Sequence, residues 1–173
     1  GSKVIERRKT FVSQLNEIIY GIHMKLSGGR EELQIVYEPD VLMEDFEKKL
    51  EGCRERDIKT KQTSIGPHRD DFSFLAGDID IRKFGSQGQQ RTAALSLKLA
   101  EIELVKKITK DVPLLLLDDV LSELDSSRQN YLLNSIGDIQ TIITCTGLEE
   151  FVNNRFEINK VFQVSEATVQ STI

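Results

Sequence analysis

The feature that most constrains the fold is a run of four leucines, residues 114–117, that ends in Asp118 and Asp119. A short apolar run of this kind is typical of a strand buried on both faces, as in parallel sheets. Residues 139–145 predict a second buried strand, and residues 126–136 between the two have the spacing of a helix. Because parallel strands need a crossover connection, this order predicts an α/β fold with a largely parallel sheet in the second half of the chain.

The rest of the chain predicts helices and short strands. Residues 3–26 predict an amphipathic helix because apolar side chains recur every seven residues, at Val4, Phe11 and Ile18 and again at Leu15 and Ile22. A second long helix, apolar around most of its girth, follows residue 91 and is expected in a core. The other predicted elements are a strand over 33–37, a polar helix over 41–56, a hairpin of strands 72–75 and 79–84, and a strand pair over 160–170.

Length and charge narrow the possible classes of protein. The 173 residues are enough for one domain or at most two. The net charge of −5 means that any DNA-binding surface must be a local basic patch. No apolar run reaches the roughly 18 residues that cross a membrane. Cys53 and Cys145 lack the spacing of a metal site, which favours reduced thiols in a cytoplasmic protein.

The two aspartates lie where α/β sheets bind ligands, at the carboxyl end of a strand. A carboxylate at Asp118 is suited to a water-mediated Mg²⁺ site beside a nucleotide phosphate. A helix-capping or solvated aspartate is an equal alternative for the same residue. Because successive strand residues point to opposite faces, Asp118 and Asp119 predict two separate roles and not a proton-sharing pair.

A small polar loop, residues 85–91, precedes the second long helix. Small residues such as Gly88 let backbone amides approach an anion, and a helix N-terminus carries partial positive charge. Ser86 adds a hydroxyl donor. An ordinary loop-to-helix cap has the same composition, so the loop alone is weak evidence for a phosphate site.

Together these motifs resemble those of ABC-type ATPases. Residues 84–91, with the sequence Phe-Gly-Ser-Gln-Gly-Gln-Gln-Arg, resemble the signature motif, and residues 114–119 resemble the Walker B strand. Residues 122–125, Ser-Glu-Leu-Asp, are similar to the D-loop that follows it. With Gly-Pro-His-Arg-Asp-Asp at 66–71, the chain resembles the RecF family of SMC-like bacterial DNA repair ATPases from its first helix to its last strand.

This resemblance implies a domain organisation. Residues 31–173 would form the carboxyl-terminal lobe of an ABC/SMC-like P-loop ATPase head, and residues 1–30 the returning limb of a helical arm domain. The phosphate-binding motif Gly-x-x-x-x-Gly-Lys-Ser/Thr does not occur here, and in the family it lies near the N-terminus of the full protein. We therefore expect a carboxyl-terminal half that alone neither binds ATP tightly nor hydrolyses it, and whose sheet exposes an edge or an apolar face.

The resemblance also implies roles for the loop residues. Ser86 and Gly88, with Gln87 and Gln89 of the same motif, would contact the γ-phosphate of ATP held by the other subunit of a homodimer. Asp125, from the D-loop, would lie across the dimer seam.

The remaining site residues belong to the hydrolysis machinery. Asp118 would hold Mg²⁺ through water, and Asp119 stands where most ABC ATPases have a catalytic glutamate. Thr146 occupies the switch position that histidine usually fills. Aspartate is one methylene shorter than glutamate, and a misplacement of about 1 Å can cost roughly 100-fold in rate. We therefore expect slow hydrolysis, with ATP acting mainly to hold a dimer together.

The function implied is ATP-dependent DNA binding in DNA replication, recombinational repair and the SOS response. ATP would drive head-to-head dimerisation on single-stranded, gapped or junction DNA, with a recombination mediator such as RecR as a partner. The alternatives are the head of another SMC-like chromosome protein and a nucleotide-gated structural clamp whose turnover is incidental. Solvated faces are the default reading of the basic clusters, and the candidate DNA contacts among them are Lys3, Arg7, Arg8, Lys59, Lys61 and Arg69.

Overall fold

The computed structural model describes residues 1–146 and 159–171, apart from the side chain of Glu123. It confirms the α/β class, with helices and small sheets. The chain divides into two compact units, Gly1–Pro113 and Leu114–Ile173. This division lies far from residue 30, and the assignment of residues 1–30 to an arm domain stays a prediction about the full protein.

The first unit contains most of the helices. No described helix combines the length and the hydropathy that crossing a membrane requires. The elements are α1 (Ser2–Leu26), β1 (Leu33–Glu38), α2 (Phe46–Thr60), β2 (Asp71–Ala76), β3 (Ile79–Asp80), α3 (Ile81–Phe84) and α4 (Gln87–Thr109), with 3-10 turns at Met43–Asp45 and Pro67–Arg69.

Helix α1 buries only part of the predicted stripe: Leu15 is buried, and Ile18 and Ile22 pack against the core. Val4 and Phe11 are 43% and 44% exposed, whereas Ile5, Val12 and Ile19 are buried. Both stripes have heptad spacing and lie one residue apart on the helix surface, so periodicity alone does not choose between them. The choice is made by packing, because α1 contacts both the sheet and α4.

The core of the first unit lies between α1, α4 and an antiparallel sheet of order β1-β2-β3. In that sheet β1 is an edge strand, and Asn16 of α1 satisfies part of its backbone. The Asn16 amide donates to Ile35 O and accepts from Ile35 N–H, both at 2.8 Å. These two hydrogen bonds hold α1 against the strand and cover polar groups that an edge would otherwise leave unpaired.

The predicted hairpin forms, but its second strand is shorter than expected. β2 pairs with β3 only through Leu75↔Asp80 and Ala76↔Ile79. The prediction of a strand over residues 81–84 is wrong, because Asp80 caps a short helix there by accepting a hydrogen bond from Arg82 N–H at 3.1 Å. Helix α3 then leads directly into the polar loop before α4.

The second unit contains β4 (Leu115–Asp118), α5 (Ser126–Ser135) and β5 (Thr141–Thr144). β4 and β5 pair in parallel, and within the described residues parallel pairing is confined to these two strands. Leu116 and Ile142 face each other in the register and are 67% and 55% exposed. The apolar face expected from the sequence is therefore present. An antiparallel pair, β6 (Phe162–Ser165) and β7 (Thr168–Ser171), ends the described chain as predicted.

Candidate functional site

The polar loop before α4 is held by a capping box. Ser86, the N-cap residue, accepts a hydrogen bond from Gln89 N–H through Oγ at 3.2 Å. In return Ser86 N–H donates to Gln89 Oε1 at 2.8 Å. Two backbone N–H groups at the helix start are thus satisfied by side chains, which fixes the turn as the helix begins.

Two glycines flank this cap and differ in what surrounds them. A Cβ on Gly85 would lie 2.6 Å from Ile81 O, so the packing of α3 against the loop requires glycine there. A Cβ on Gly88 would meet only Ser86 Oγ, at an ordinary 3.9 Å. Nothing described within the chain demands glycine at position 88, and the space above it is open to a ligand.

The resulting turn is suited to bind an anion. Ser86, Gln87 and Gly88 are exposed, and no acidic residue lies in the first turn of α4 to offset its positive end. Because Ser86 Oγ uses a lone pair for the cap, its hydroxyl proton remains able to donate outwards. A hydroxyl and the first backbone N–H groups of a 23-residue helix therefore converge on one small surface.

In the second unit, Thr144 forms hydrogen bonds with both Asp118 and Asp119. Thr144 Oγ1 donates to Asp118 Oδ1 at 2.5 Å and accepts from Asp119 N–H at 3.1 Å. The parallel register pairs Asp118 with Thr144, so the carboxyl ends of β4 and β5 place these groups at one edge. The exposed Asp118 carboxylate is thereby oriented.

Asp119 has an uncommon backbone conformation. Its φ of 52° lies in the left-handed region, which costs a non-glycine residue on the order of 1 kcal/mol. The strain is offset by hydrogen bonds from Asp119 N–H to Thr144 O at 3.1 Å and from Ser122 Oγ to Asp119 O at 2.8 Å. The kink turns the chain sharply after Asp118.

Asp125 and Thr146 complete the predicted set. Asp125 is the N-cap of α5, where Oδ1 accepts from Arg128 N–H at 3.0 Å and Oδ2 pairs with Arg128 Nη1 at 2.5 Å. Thr146 is exposed and lies two residues after the end of β5. The residues after it in the predicted switch, Gly147 and Leu148, lie outside the described residues.

Of the six candidate DNA contacts, Arg8 differs from the other five because it forms an ion pair within the chain. Its Nη1 pairs with Asp70 Oδ2 at 2.7 Å and also donates to Pro67 O. Tyr37 donates to the same Asp70 oxygen at 2.5 Å. Burial raises the pKa of Asp70, but these hydrogen bonds outweigh it and lower the pKa overall, while burial and the Asp70 hydrogen bond raise the pKa of Tyr37 to about 12. Arg8 thus has a structural role in anchoring the 66–71 segment.

The other five candidates are exposed and, within the described residues, form no ion pair. They are Lys3, Arg7, Lys59, Lys61 and Arg69. The neighbouring Arg82 differs, because it forms a bidentate pair with Asp71 at 2.8 and 2.7 Å. The fold therefore presents two exposed basic groups, one at the start of α1 and one from the end of α2 to the turn before β2.

The residues present fit Mg²⁺ only as a partial ligand set. No group of three or more His, Cys, Asp or Glu side chains that could hold a metal occurs in the described residues. Mg²⁺ keeps several waters and often takes one or two carboxylates together with substrate phosphates. The exposed, oriented carboxylate of Asp118 meets that need.

Known proteins similar to this chain share one name. The DNA replication and repair proteins RecF of Lachnospira eligens and Lachnoclostridium phytofermentans are 62% identical over 169 residues and 63% identical over 170. The RecF of Clostridium perfringens strain SM101 is 44% identical over 175 residues. Each alignment covers 98% of this chain, and the chain spans about half the length of these relatives, 47–48%.

Solved structures agree with the sequence relatives. Two structures of the recombination mediator protein RecF in the RecFOR pathway, one with ATP and one with ATPrS, match all of this chain and 47% of their own. Their TM-scores are 0.81 and 0.80, at 32% identity. The chain corresponds to the carboxyl-terminal part of RecF. No family model matches the chain.

Within this RecF-type chain, two residues of the site were not identified from the sequence. Thr144 orders both aspartates, and the expected parallel pairing of its strand with residues 114–118 was the available signal. Glu31 accepts a hydrogen bond from Gln89 Nε2 at 3.0 Å, across 58 residues of sequence. No local pattern predicts that contact, because it depends on how α1 packs against α4.

Proposed function

We propose that this chain supplies the signature side and the Walker B side of an ATP-dependent DNA-binding dimer of the RecF type, which acts in DNA replication and repair. The observation that carries the proposal is the capped turn of α4. Its Ser86 hydroxyl, open Gly88 and helix N-terminus are suited to a terminal phosphate. The likeness to RecF structures with ATP supports ATP as the source of that phosphate.

In this proposal each residue has a limited task. Ser86 donates to the γ-phosphate of ATP held by the opposite subunit, and Gly88 leaves room for the backbone N–H groups to approach it. Asp118, oriented by Thr144, holds Mg²⁺ through water. Mg²⁺, when bound, neutralises negative charge on the phosphates. Asp125 caps α5 beside the subunit seam.

Hydrolysis is expected to be slow for a reason that lies in the chain itself. Asp119 orients the attacking water from a shorter side chain than glutamate, and Thr146 offers a hydroxyl in place of an imidazole. A misplacement of about 1 Å costs roughly 100-fold in rate. ATP therefore stabilises the dimer for a long period, and its hydrolysis releases the dimer from DNA.

DNA and protein partners follow from the surface and from the relatives. The exposed basic residues would contact phosphates without reading sequence, because backbone contacts carry no base information. They are Lys3, Arg7, Lys59, Lys61 and Arg69, with Arg8 anchoring the segment beside them. The RecFOR pathway of the solved relatives makes a RecR-type mediator the expected protein partner.

The test is ATP-dependent dimerisation of the full-length protein that carries this chain. Ser86→Arg places a bulky cation in the capped turn, and we expect the variant to remain a monomer in saturating Mg-ATP by sedimentation velocity. Ser13→Arg is the matched control, because Ser13 is exposed on α1 and takes no part in the turn. A Ser86→Arg protein that dimerises as well as the control would overturn the proposal.

A further inference from the structure

The side chain that caps the signature turn is itself held from outside the motif. Gln89 Oε1 accepts from Ser86 N–H at 2.8 Å, while Gln89 Nε2 donates to Glu31 Oε1 at 3.0 Å. Glu31 lies in the loop between α1 and β1, and its backbone N–H donates to Ser27 Oγ at 3.3 Å. Both the oxygen and the nitrogen of the Gln89 side-chain amide are therefore hydrogen-bonded.

This arrangement decides which way the Gln89 amide points. A carboxylate only accepts hydrogen bonds, so Glu31 selects the orientation in which Nε2 faces it. That orientation leaves Oε1 facing Ser86 N–H, as the capping box requires. In the flipped orientation Oε1 would face the carboxylate of Glu31, so two acceptors would meet. Nε2 would face Ser86 N–H, so two donors would meet. The carboxylate of Glu31, whose side chain is 31% exposed, thus stabilises the capping box through Gln89.

The hydrogen bonds from Glu31 through Gln89 to Ser86 form one route to the start of α4. A second route of hydrogen bonds links α1 to α4. His23 of α1 is fully buried, and its Nδ1 donates to Ser96 Oγ at 2.8 Å, because the single Ser96 proton goes to Thr92 O at 2.7 Å. Thr92 Oγ1 in turn donates to Gly88 O at 2.6 Å. These hydrogen bonds run along the buried face of α4 to the signature glycine.

The two routes meet at one point. His23 Nε2 lies 3.9 Å from Glu31 Oε2, so the histidine that begins the second route also adjoins the carboxylate that begins the first. One route ends at Ser86 and the other at Gly88. Those are the two residues to which the proposed function assigns the γ-phosphate.

We propose that Glu31 is a positioning residue for the signature turn. The inference rests on the proposed function. Without Glu31, the Gln89 side chain loses one of its two hydrogen bonds, and the capping box that fixes Ser86 is weakened. Phosphate of the opposite subunit then meets a mobile turn, and the dimer forms less tightly. The bound nucleotide itself is held by the other side of the interface, so ATP binding by the monomer is unaffected.

The experiment compares Glu31→Ala with Glu32→Ala in the full-length protein. Glu32 is the adjacent carboxylate, and it accepts from Tyr20 OH at 3.2 Å, away from the turn. In saturating Mg-ATP we expect Glu31→Ala to weaken dimerisation about 10-fold, since both turns of a symmetric dimer lose one charge-assisted hydrogen bond. Glu32→Ala stays within about 2-fold of wild type. The thermal midpoint and the ATP affinity of the monomer separate this effect from a loss of folding.

A conservative variant keeps the inference testable if Glu31→Ala folds poorly. Glu31→Gln retains an oxygen that accepts from Gln89 Nε2, and we expect it to recover most of the dimerisation. Equal dimerisation by Glu31→Ala and Glu32→Ala, or equal loss in Glu31→Ala and Glu31→Gln, overturns the positioning role. Ser86→Arg separates this failure from that of the proposed function: if Ser86→Arg abolishes the dimer while Glu31→Ala does not weaken it, only the inference fails.

Discussion

Gly88→Ala is expected to stabilise the fold and to impair its function at the same time. The added Cβ meets only Ser86 Oγ at 3.9 Å, so it creates no clash within the chain. Alanine is a better helix former than glycine, and at this N-terminal position of α4 the gain is about 0.5 kcal/mol in the free energy of unfolding. Urea denaturation of the full-length protein, with an unchanged slope, measures that gain.

The same methyl group occupies the open space in which the phosphate is proposed to approach. Overpacking of a tight contact costs roughly 1–3 kcal/mol, so we expect ATP-dependent dimerisation to weaken about 10-fold or more.

Gly85→Ala should lower the free energy of unfolding, whereas Gly88→Ala should raise it. The Cβ added at Gly85 would lie 2.6 Å from Ile81 O and 2.9 Å from Ile81 Cα, and the resulting shift destabilises the protein by roughly 1–3 kcal/mol.

Gly52→Ala is the matched control for this prediction. Gly52 lies within α2 with nothing within 4 Å of its Cβ position, so the substitution should stabilise the helix without changing dimerisation. Sedimentation velocity with and without Mg-ATP reports the dimer for all three variants. Gly88→Ala that dimerises as Gly52→Ala does would refute the reasoning that the space above Gly88 receives the phosphate.

Two further predictions concern the charged residues. Asp70→Asn should lower the free energy of unfolding by about 2 kcal/mol at pH 7, since it breaks a buried pair whose partner Arg8 is 37% exposed. Because the folded-state pKa of Asp70 is lowered, its stabilisation is fully present above the unfolded pKa of about 3.9 and is lost as the pH falls from there through the lower folded-state pKa. A difference between wild type and variant that does not narrow with falling pH contradicts this. Lys61→Ala and Arg69→Ala should each reduce the salt dependence of DNA binding by about one phosphate contact, with paired Arg82→Ala as a control that leaves it unchanged. An unchanged salt dependence in the first two variants would remove them from the DNA surface.

The order of elements in the second half was predictable because the leucine run before Asp118 and the helix signals after it are clear. The position of Asp118 at the end of the strand followed from that run. The expected burial of the two strands on both faces was wrong, because Leu116 of β4 and Ile142 of β5 are 67% and 55% exposed. The first half was harder. Two heptad stripes coexist on α1, and only the packing of β1 and α4 selects Ile5 and Val12 over Val4 and Phe11.

Long-range polar contacts could not be predicted from the sequence. The residue type at Arg8 suggested a DNA contact, yet its partner Asp70 lies 62 residues away. The left-handed backbone of Asp119 depends on Thr144 in another strand. In each case the deciding interaction joins residues that no local pattern relates.

The claim that the signature turn acts on a nucleotide of the opposite subunit has a direct test in mixed dimers. Ser86→Arg disables the signature side, and Asp118→Asn disables the Mg²⁺ side. In a mixed dimer both defects fall in one composite site and leave the other intact. Equal amounts of the two inactive proteins should recover ATP hydrolysis well above the rate of either variant alone, because each mixed dimer carries one working site of two. A mixture no more active than either variant alone would contradict the account.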